Sequence, residues 1–184
     1  MQLERRVPHE IPAWAGRGLL HVVIDTPRGS RNKYKFVPDW SCFRLGRVLP
    51  RGLSFPYDFG SIPSTAAEDG DPLDLMVLAE TPTFVGCLVC VRLLGVIQAE
   101  QTEKRKTIRN DRLLGVPVTP VNPPAFQRLA DVPERDLGEI ESFFVAYNRA
   151  HGRKFEPLGR RGAREAERLV RAAQRRYERE AGRS

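Results

Sequence analysis

The chain has 184 residues, of which 41% are hydrophobic, a net charge of +7 and three cysteines. These figures fit one globular domain spanning residues 1–184 with a sizeable core, and they exclude a disordered chain. No apolar run is long enough to span a membrane, the opening MQLERRVPHE lacks the apolar segment of a secretory signal, and an odd cysteine count argues against a disulfide framework, so a cytoplasmic protein away from membranes is expected.

In chain order, "LLHVVID" (19–25) reads as a buried strand, stopped by Thr-Pro-Arg-Gly-Ser. "KYKFV" (33–37) alternates and is expected to form a hairpin with it. "SCFRLGRVL" (41–49) is a third strand, broken by Pro50-Arg51-Gly52. Trp40 and Phe43 are read as core residues rather than stacking platforms. "SFPYDFGSIPST" (54–65) is aromatic and turn-rich and is expected to be a loop. "DLMVL" (74–78) is a short strand, and "GCLVCVRLLGVIQAE" (86–100) is one long strand or two. Cys87 and Cys90 have C-x-x-C spacing, but a strand turns them to opposite faces, which argues against a metal or redox pair. "EKRKTIRNDR" (103–112) is polar and expected to be exposed, and "LLGVPV" (113–118) is a further strand.

Helices come only at the end. Asp131 is placed to cap one in which Leu137, Ile140, Phe143, Phe144 and Tyr147 share a face. A second runs from about Ala163 to Glu180, with Ala166, Leu169, Val170, Ala173 and Tyr177 on one side. Residues 151–184 carry 11 Lys/Arg against 5 Asp/Glu, which leaves the rest nearly neutral. The basic residues alternate with Glu and Ala at helical spacing, as on a solvated helix face. Short strands followed by two helices predict a small barrel or antiparallel sheet with helices packed to one side.

The chemistry concentrates in "AAEDGDPLDLMVL" (66–78), where Asp69, Asp71 and Asp74 fall within six residues. Carboxylates gathered this closely raise one another's pKa and strain the fold unless a cation joins them. Hard divalent ions prefer oxygen ligands, and Mg²⁺ takes a few carboxylates beside waters and phosphates. Gly70 allows the sharp turn, and Asp74 opens a strand that holds its carboxylate rigidly.

"EDGDPLDLMVL" resembles the D-G-D-P-x-D signature of the family I soluble inorganic pyrophosphatases. "HVVIDTP", "NKYKF", Arg47, "FPYDFGSIPST", "GVPV" and "FFVAYN" follow the family's order at nearly its spacing, over about residues 19–155. The resemblance implies a mainly-β α+β fold, a five-stranded OB-type barrel with two flanking C-terminal helices. It implies Mg²⁺-dependent hydrolysis of pyrophosphate to two phosphates, and a homo-oligomer. By position, Asp69 and Asp74 resemble metal ligands and Asp71 the carboxylate that takes a proton from the attacking water, itself also near metal. Lys33, Arg47 and Tyr147 resemble phosphate-binding groups, and Asp25 stands where the family has Glu.

The segment after the long strand departs from the pattern. It is longer by about four residues. Asn110 falls where a second metal-binding Asp is expected, Arg112 where a substrate-binding Lys is expected, and Asp111 lies one place off. Lys35 replaces a Glu, Phe59 a Tyr, and Asn148 a Lys. Two readings stay open: re-registration, with Asp111 and Glu100 or Glu103 as ligands, or a site with fewer metals and lower activity. The alternative to an active hydrolase is a weakly active or non-catalytic binder of phosphate ligands. An OB-type nucleic-acid binder fits less well, since such proteins need aromatics on exposed strands beside a basic groove. The aromatics here gather near residues 55–59 and 137–147.

Overall fold

The computed structural model describes residues 11–68, 70–121 and 123–182. Asp69 therefore lies outside the described residues. Among the described residues, ten strands and two long helices follow one another: β1 (Trp14–Gly16), β2 (Leu19–Thr26), β3 (Asn32–Val37), β4 (Cys42–Val48), β5 (Asp58–Ile62), β6 (Leu73–Val77), β7 (Leu88–Glu103), β8 (Lys106–Arg109), β9 (Arg112–Pro117), α1 (Glu134–Arg149), β10 (Lys154–Gly162) and α2 (Ala163–Ala181).

Five of the strands close on themselves. β2 pairs with β5, β5 with β6, β6 with β9, β9 with β7, and β7 again with β2. Only the β6–β9 contact is parallel; the others are antiparallel. This ring is consistent with the OB-type barrel expected. Period-two alternation divides its side chains. Leu20, Ile62, Leu75, Val91 and Leu113, one from each ring strand, fall in one apolar cluster with Ala166 and Val170 of α2. Phe59, Met76, Leu94 and Leu114 point the other way, into a second cluster with Ile140, Phe143 and Phe144 of α1. Thus each helix covers one side chain set of the same strands. Gly60 marks a tight crossing. It lies opposite Ile24 on β2, and a Cβ there would come within 2.3 Å of the Val23 carbonyl oxygen.

Several local expectations are corrected. The strand at 33–37 does not pair with that at 19–25. β3 pairs with β4 in a separate two-stranded sheet, closed by a 3-10 turn at Pro38–Trp40. The hydrogen-bonding edges of β2 are already taken by β5, β7 and the short β1. The stretch at 54–65 contains β5, a member of the ring, whose Gly and Ser content disguised it. The segment at 103–112 is mostly exposed, as expected, but it is ordered as a hairpin of β7 with β8, and its last residue, Arg112, is buried. β10 was not foreseen; its Pro157 and two glycines hid a strand that pairs along β7. Asp131 does not cap α1. It closes a short 3-10 turn, where its carboxylate accepts the backbone N–H groups of Gln127 and Arg128, and α1 begins after Pro133. Trp40 is 69% exposed rather than core, because it sits on the turn of the β3–β4 hairpin, beyond the reach of either cluster. Phe43 is half-buried against Phe36, with ring centroids 5.3 Å apart. No described helix is long and apolar enough to cross a membrane.

Candidate active site

The β3–β4 hairpin, the loop before β6, the β7–β8 hairpin, α1 and α2 together enclose a cavity of ≈ 440 Å³. Lys33, Arg47, Asp71, Asp74, Asn110, Asp111, Arg112 and Tyr147 all line it, although they come from five separate stretches of chain. Asp25 stands beside them, close enough to Lys33 and Asp74 for each to shift its charge balance.

The acidic loop is tied at both ends. Thr65 Oγ1 donates to the Ile62 carbonyl at 2.6 Å and accepts the Leu73 N–H at 3.0 Å. Between these anchors the Ala67 N–H reaches the Asp71 carbonyl at 2.7 Å, and Gly70 takes φ +85, a left-handed turn that favours glycine. α2 holds the loop from outside. Arg176 Nη1 donates to the Ala66 carbonyl at 2.7 Å, and the Ala66 N–H reaches the Ala173 carbonyl at 3.1 Å. The basic C-terminal helix is therefore more than a solvated face. Leu169, Ala173 and Arg176 share one side of it and line the cavity. The spacing of these three residues is the signal by which sequence reading could have found Arg176.

Three carboxylates of the cavity have a cation. Asp74, at the start of β6, pairs with Arg112, at the start of β9, with Oδ2 and Nη1 at 2.5 Å. The Arg112 guanidinium also lies 5.0 Å from the Phe144 ring centroid and 5.7 Å from that of Phe155. Aromatic faces attract a cation, so both rings help hold it. Asp71 accepts from Lys35 Nζ at 3.0 and 3.3 Å, at a site where both side chains are 63% exposed. Asp111 accepts from Arg109 Nε at 2.6 Å and from the Ala99 N–H at 3.0 Å through the same oxygen, Oδ1. Asn110 Nδ2 donates to Gln101 Oε1 at 2.8 Å.

Deeper in, burial pushes the Asp25 carboxyl up to about 7, against the pull of the Lys33 ammonium and with the help of the Asp74 charge. Burial works against the Lys33 ammonium too, but the carboxylates of Asp25 and Asp74 outweigh it and hold its pKa above the ordinary value. Lys33 Nζ sits 4.3 Å from the centroid of the Phe59 ring. On the hairpin Lys33 and Arg47 are register partners, so their side chains leave the same face of it. The Tyr147 ring packs against Phe55 and Phe143, with centroids 5.9 and 5.8 Å away. The next residue, Asn148, is buried and its side chain turns back to the Phe144 carbonyl at 2.9 Å, so it is spent inside α1.

The donor set suits a divalent cation of the hard type. All candidate ligands are oxygen donors, and the uncharged state that burial favours at Asp25 is a strain a cation would relieve. Among the described residues no three acidic, His or Cys side chains form a ligand cluster. A cation held here by one or two carboxylates, with water and phosphate oxygens completing its shell, fits the usual coordination of Mg²⁺.

Comparisons with known proteins agree with this arrangement. The family model described as inorganic pyrophosphatase matches residues 22–178. The inorganic pyrophosphatase of a Synechocystis species is 39% identical over 149 residues, which covers 81% of this chain and 86% of that protein. That of Thermus thermophilus is 40% identical over 136 residues, covering 74% and 75%. Among solved structures, inorganic pyrophosphatase from Thermus thermophilus superposes with a TM-score of 0.83 at 36% identity, covering 94% of this chain and 99% of that one. One from Neisseria gonorrhoeae gives 0.79 at 28%, covering 88% and 92%. On the sequence match, the shared fold and the ring of strands that carries this cavity, the chain belongs to the inorganic pyrophosphatase family.

Proposed function

We propose that this chain hydrolyses inorganic pyrophosphate to two phosphates in the cavity between the β3–β4 hairpin and α2, with Mg²⁺ as the divalent cation. The observation that carries this reading is the meeting of Lys33, Arg47, Arg112 and Tyr147 with Asp71 and Asp74 around one cavity, in a chain of the pyrophosphatase family. Pyrophosphate is strongly anionic and must be neutralised. Lys33 offers a point charge and Arg47 a planar fork to its oxygens. Arg112, held over Phe144 and Phe155, keeps a third cation in fixed orientation on the inner wall. The Tyr147 hydroxyl adds a neutral donor.

Asp74, Asp71 and Asp69 would hold the cation, with Asp25 behind them and Asn110 and Asp111 across the cavity. When bound, the cation neutralises phosphate charge and makes a water easier to deprotonate. The Asp71 carboxylate takes the proton from the attacking water, for which Lys35 must first release it. Catalysis here is chiefly electrostatic, as is general for phosphoryl transfer. In this reading the protein is one domain of residues 1–184, acts in the cytoplasm as a homo-oligomer, and needs neither nucleic acid nor membrane. Support for the assembly and location comes from the family alone.

The test is Asp71→Asn. The amide keeps the shape but is a poor base, so phosphate release should fall by about 10²–10⁴-fold while pyrophosphate binding persists. Undiminished release by the variant would remove Asp71 from this role.

A further inference from the structure

The turn that ends in Asp71 is closed upon itself. The Ala67 N–H reaches the Asp71 carbonyl at 2.7 Å, and the Gly70 N–H reaches the Ala67 carbonyl at 3.2 Å. A turn closed in this way moves as a unit, so the residue that leads into it sets where Asp71 stands. That residue is Ala66, which is buried. Both of its backbone polar groups are taken by α2: its N–H reaches the Ala173 carbonyl at 3.1 Å, and its C=O accepts from Arg176 Nη1 at 2.7 Å.

α2 is itself firmly seated. Ala166 and Val170 pack it into the cluster it shares with the ring strands. β1 adds a second hold: Trp14 Nε1 donates to Gln174 Oε1 at 2.9 Å, and the Arg171 guanidinium lies 4.8 Å from the Trp14 ring centroid. Ala66 and Ala173 are both small and buried, which lets helix and loop approach closely. Among the described residues no carboxylate forms an ion pair with Arg176, so the Ala66 carbonyl is what its guanidinium holds. A hydrogen bond from a charged donor is stronger than a neutral one, and its loss leaves the carbonyl of a buried residue without a partner.

We propose that Arg176 is a positioning residue for the cation of this site: by fixing Ala66 to α2 it holds the acidic turn in the pose that receives Mg²⁺, acting through the loop rather than on the cation or the phosphates. The inference rests on the reading of the cavity as the pyrophosphate site. Positioning and charge predict opposite signs. Arg176 places a positive charge on the wall of the same cavity, which by Coulomb repulsion opposes Mg²⁺. Were charge its whole effect, removing Arg176 would tighten Mg²⁺ binding. As a positioning residue, its removal frees the turn and weakens that binding.

The test is titration calorimetry of Mg²⁺ into the full chain without pyrophosphate. Arg176→Met keeps an aliphatic stem but has no donor, and should weaken Mg²⁺ binding by about tenfold, the scale of one charge-assisted hydrogen bond. Arg176→Lys restores a charged donor and should recover most of that loss. Val170→Ala opens a cavity under the same helix, so it should lower the melting temperature yet leave Mg²⁺ affinity within about twofold of wild type. Melting curves in EDTA show that all three variants are folded. Absence of Mg²⁺ uptake by wild type, unchanged or tighter binding by Arg176→Met, or an equal loss in Arg176→Lys or Val170→Ala overturns the proposal. If wild type still releases phosphate from pyrophosphate with Mg²⁺ in that event, only the role of Arg176 falls. If wild type neither takes up Mg²⁺ nor releases phosphate, the reading of the cavity falls with it.

Discussion

Asp25 gives the most quantitative handle on the site, because its carboxyl is pushed up from 3.8 to about 7 chiefly by burial. In the unfolded chain it titrates near its ordinary value. Between about pH 4 and pH 7, then, the folded protein holds a proton that the unfolded chain has lost. The unfolded state binds fewer protons there, so stability falls as pH rises through that window and levels off above it. One pKa unit corresponds to about 1.4 kcal/mol. From pH 5 to pH 8 roughly two units remain to be traversed, and because Asp25 keeps some contact with water the net effect is discounted to roughly 2 kcal/mol.

Asp25→Asn removes this dependence, since the amide does not titrate. The variant should match wild type near pH 5 and be more stable by roughly 2 kcal/mol at pH 8, or about 4–8 °C in melting temperature for a chain of this size. The assay is urea unfolding of both proteins in EDTA at several pH values, so that no metal masks the carboxylate. Other titrating groups cancel in the comparison. A constant difference between the two proteins from pH 5 to pH 8 would refute the claim that burial dominates at Asp25. A difference of opposite sign would show that the Lys33 ammonium outweighs it.

Arg112→Met keeps the contact with Phe144 and Phe155 but leaves Asp74 without its main partner. Since Asp74 is 31% exposed, the cost should be about 2 kcal/mol rather than the larger penalty of a fully buried orphan, and a double-mutant cycle with Asp74→Asn should show a coupling of about 1 kcal/mol or more. Asp58 is fully buried, with Oδ1 accepting the Arg28 N–H at 2.7 Å and Oδ2 accepting the Thr83 N–H and hydroxyl at 2.9 and 2.7 Å. Asp58→Ala strands those donors and should destabilise by about 3 kcal/mol in denaturant titration, with a loss under 1 kcal/mol contradicting its role as the pin between two loops.

The sequence showed the fold where hydrophobic pattern was strong. The apolar runs at 19–25 and 86–100, and the helical periodicity of residues 137–147 and 163–180, became β2, β7, α1 and α2. It was least legible where burial is two-sided or broken by special residues. β5 reads as a turn because Gly60 must be small for the approach of β2, and its neighbours are polar or aromatic. β10 carries Pro157 and two glycines, and Gly159 takes a positive φ within a register shift. Its pairing depends on the length of β7, which no local signal in β10 reveals.

The site was legible as a set of residue types but not as a set of partnerships. Asp71, Asp74, Lys33, Arg47, Arg112 and Tyr147 do meet around one cavity. That Lys35 holds Asp71 and Arg112 holds Asp74 are facts of three-dimensional register, from β3 across to the loop and from β9 across to β6. Arg176 was hidden for another reason: it is one of many arginines on a basic helix, and its spacing from the buried Ala173 is what marks it as the one that faces inward.

The most direct measurement is release of phosphate from pyrophosphate by the wild-type chain across a magnesium titration, starting from metal-stripped protein. The account predicts no release in EDTA, release that rises and saturates with Mg²⁺, and two phosphates formed per pyrophosphate consumed. Absence of release at every Mg²⁺ concentration, in a sample whose unfolding curve shows it to be folded, would contradict hydrolysis in this cavity.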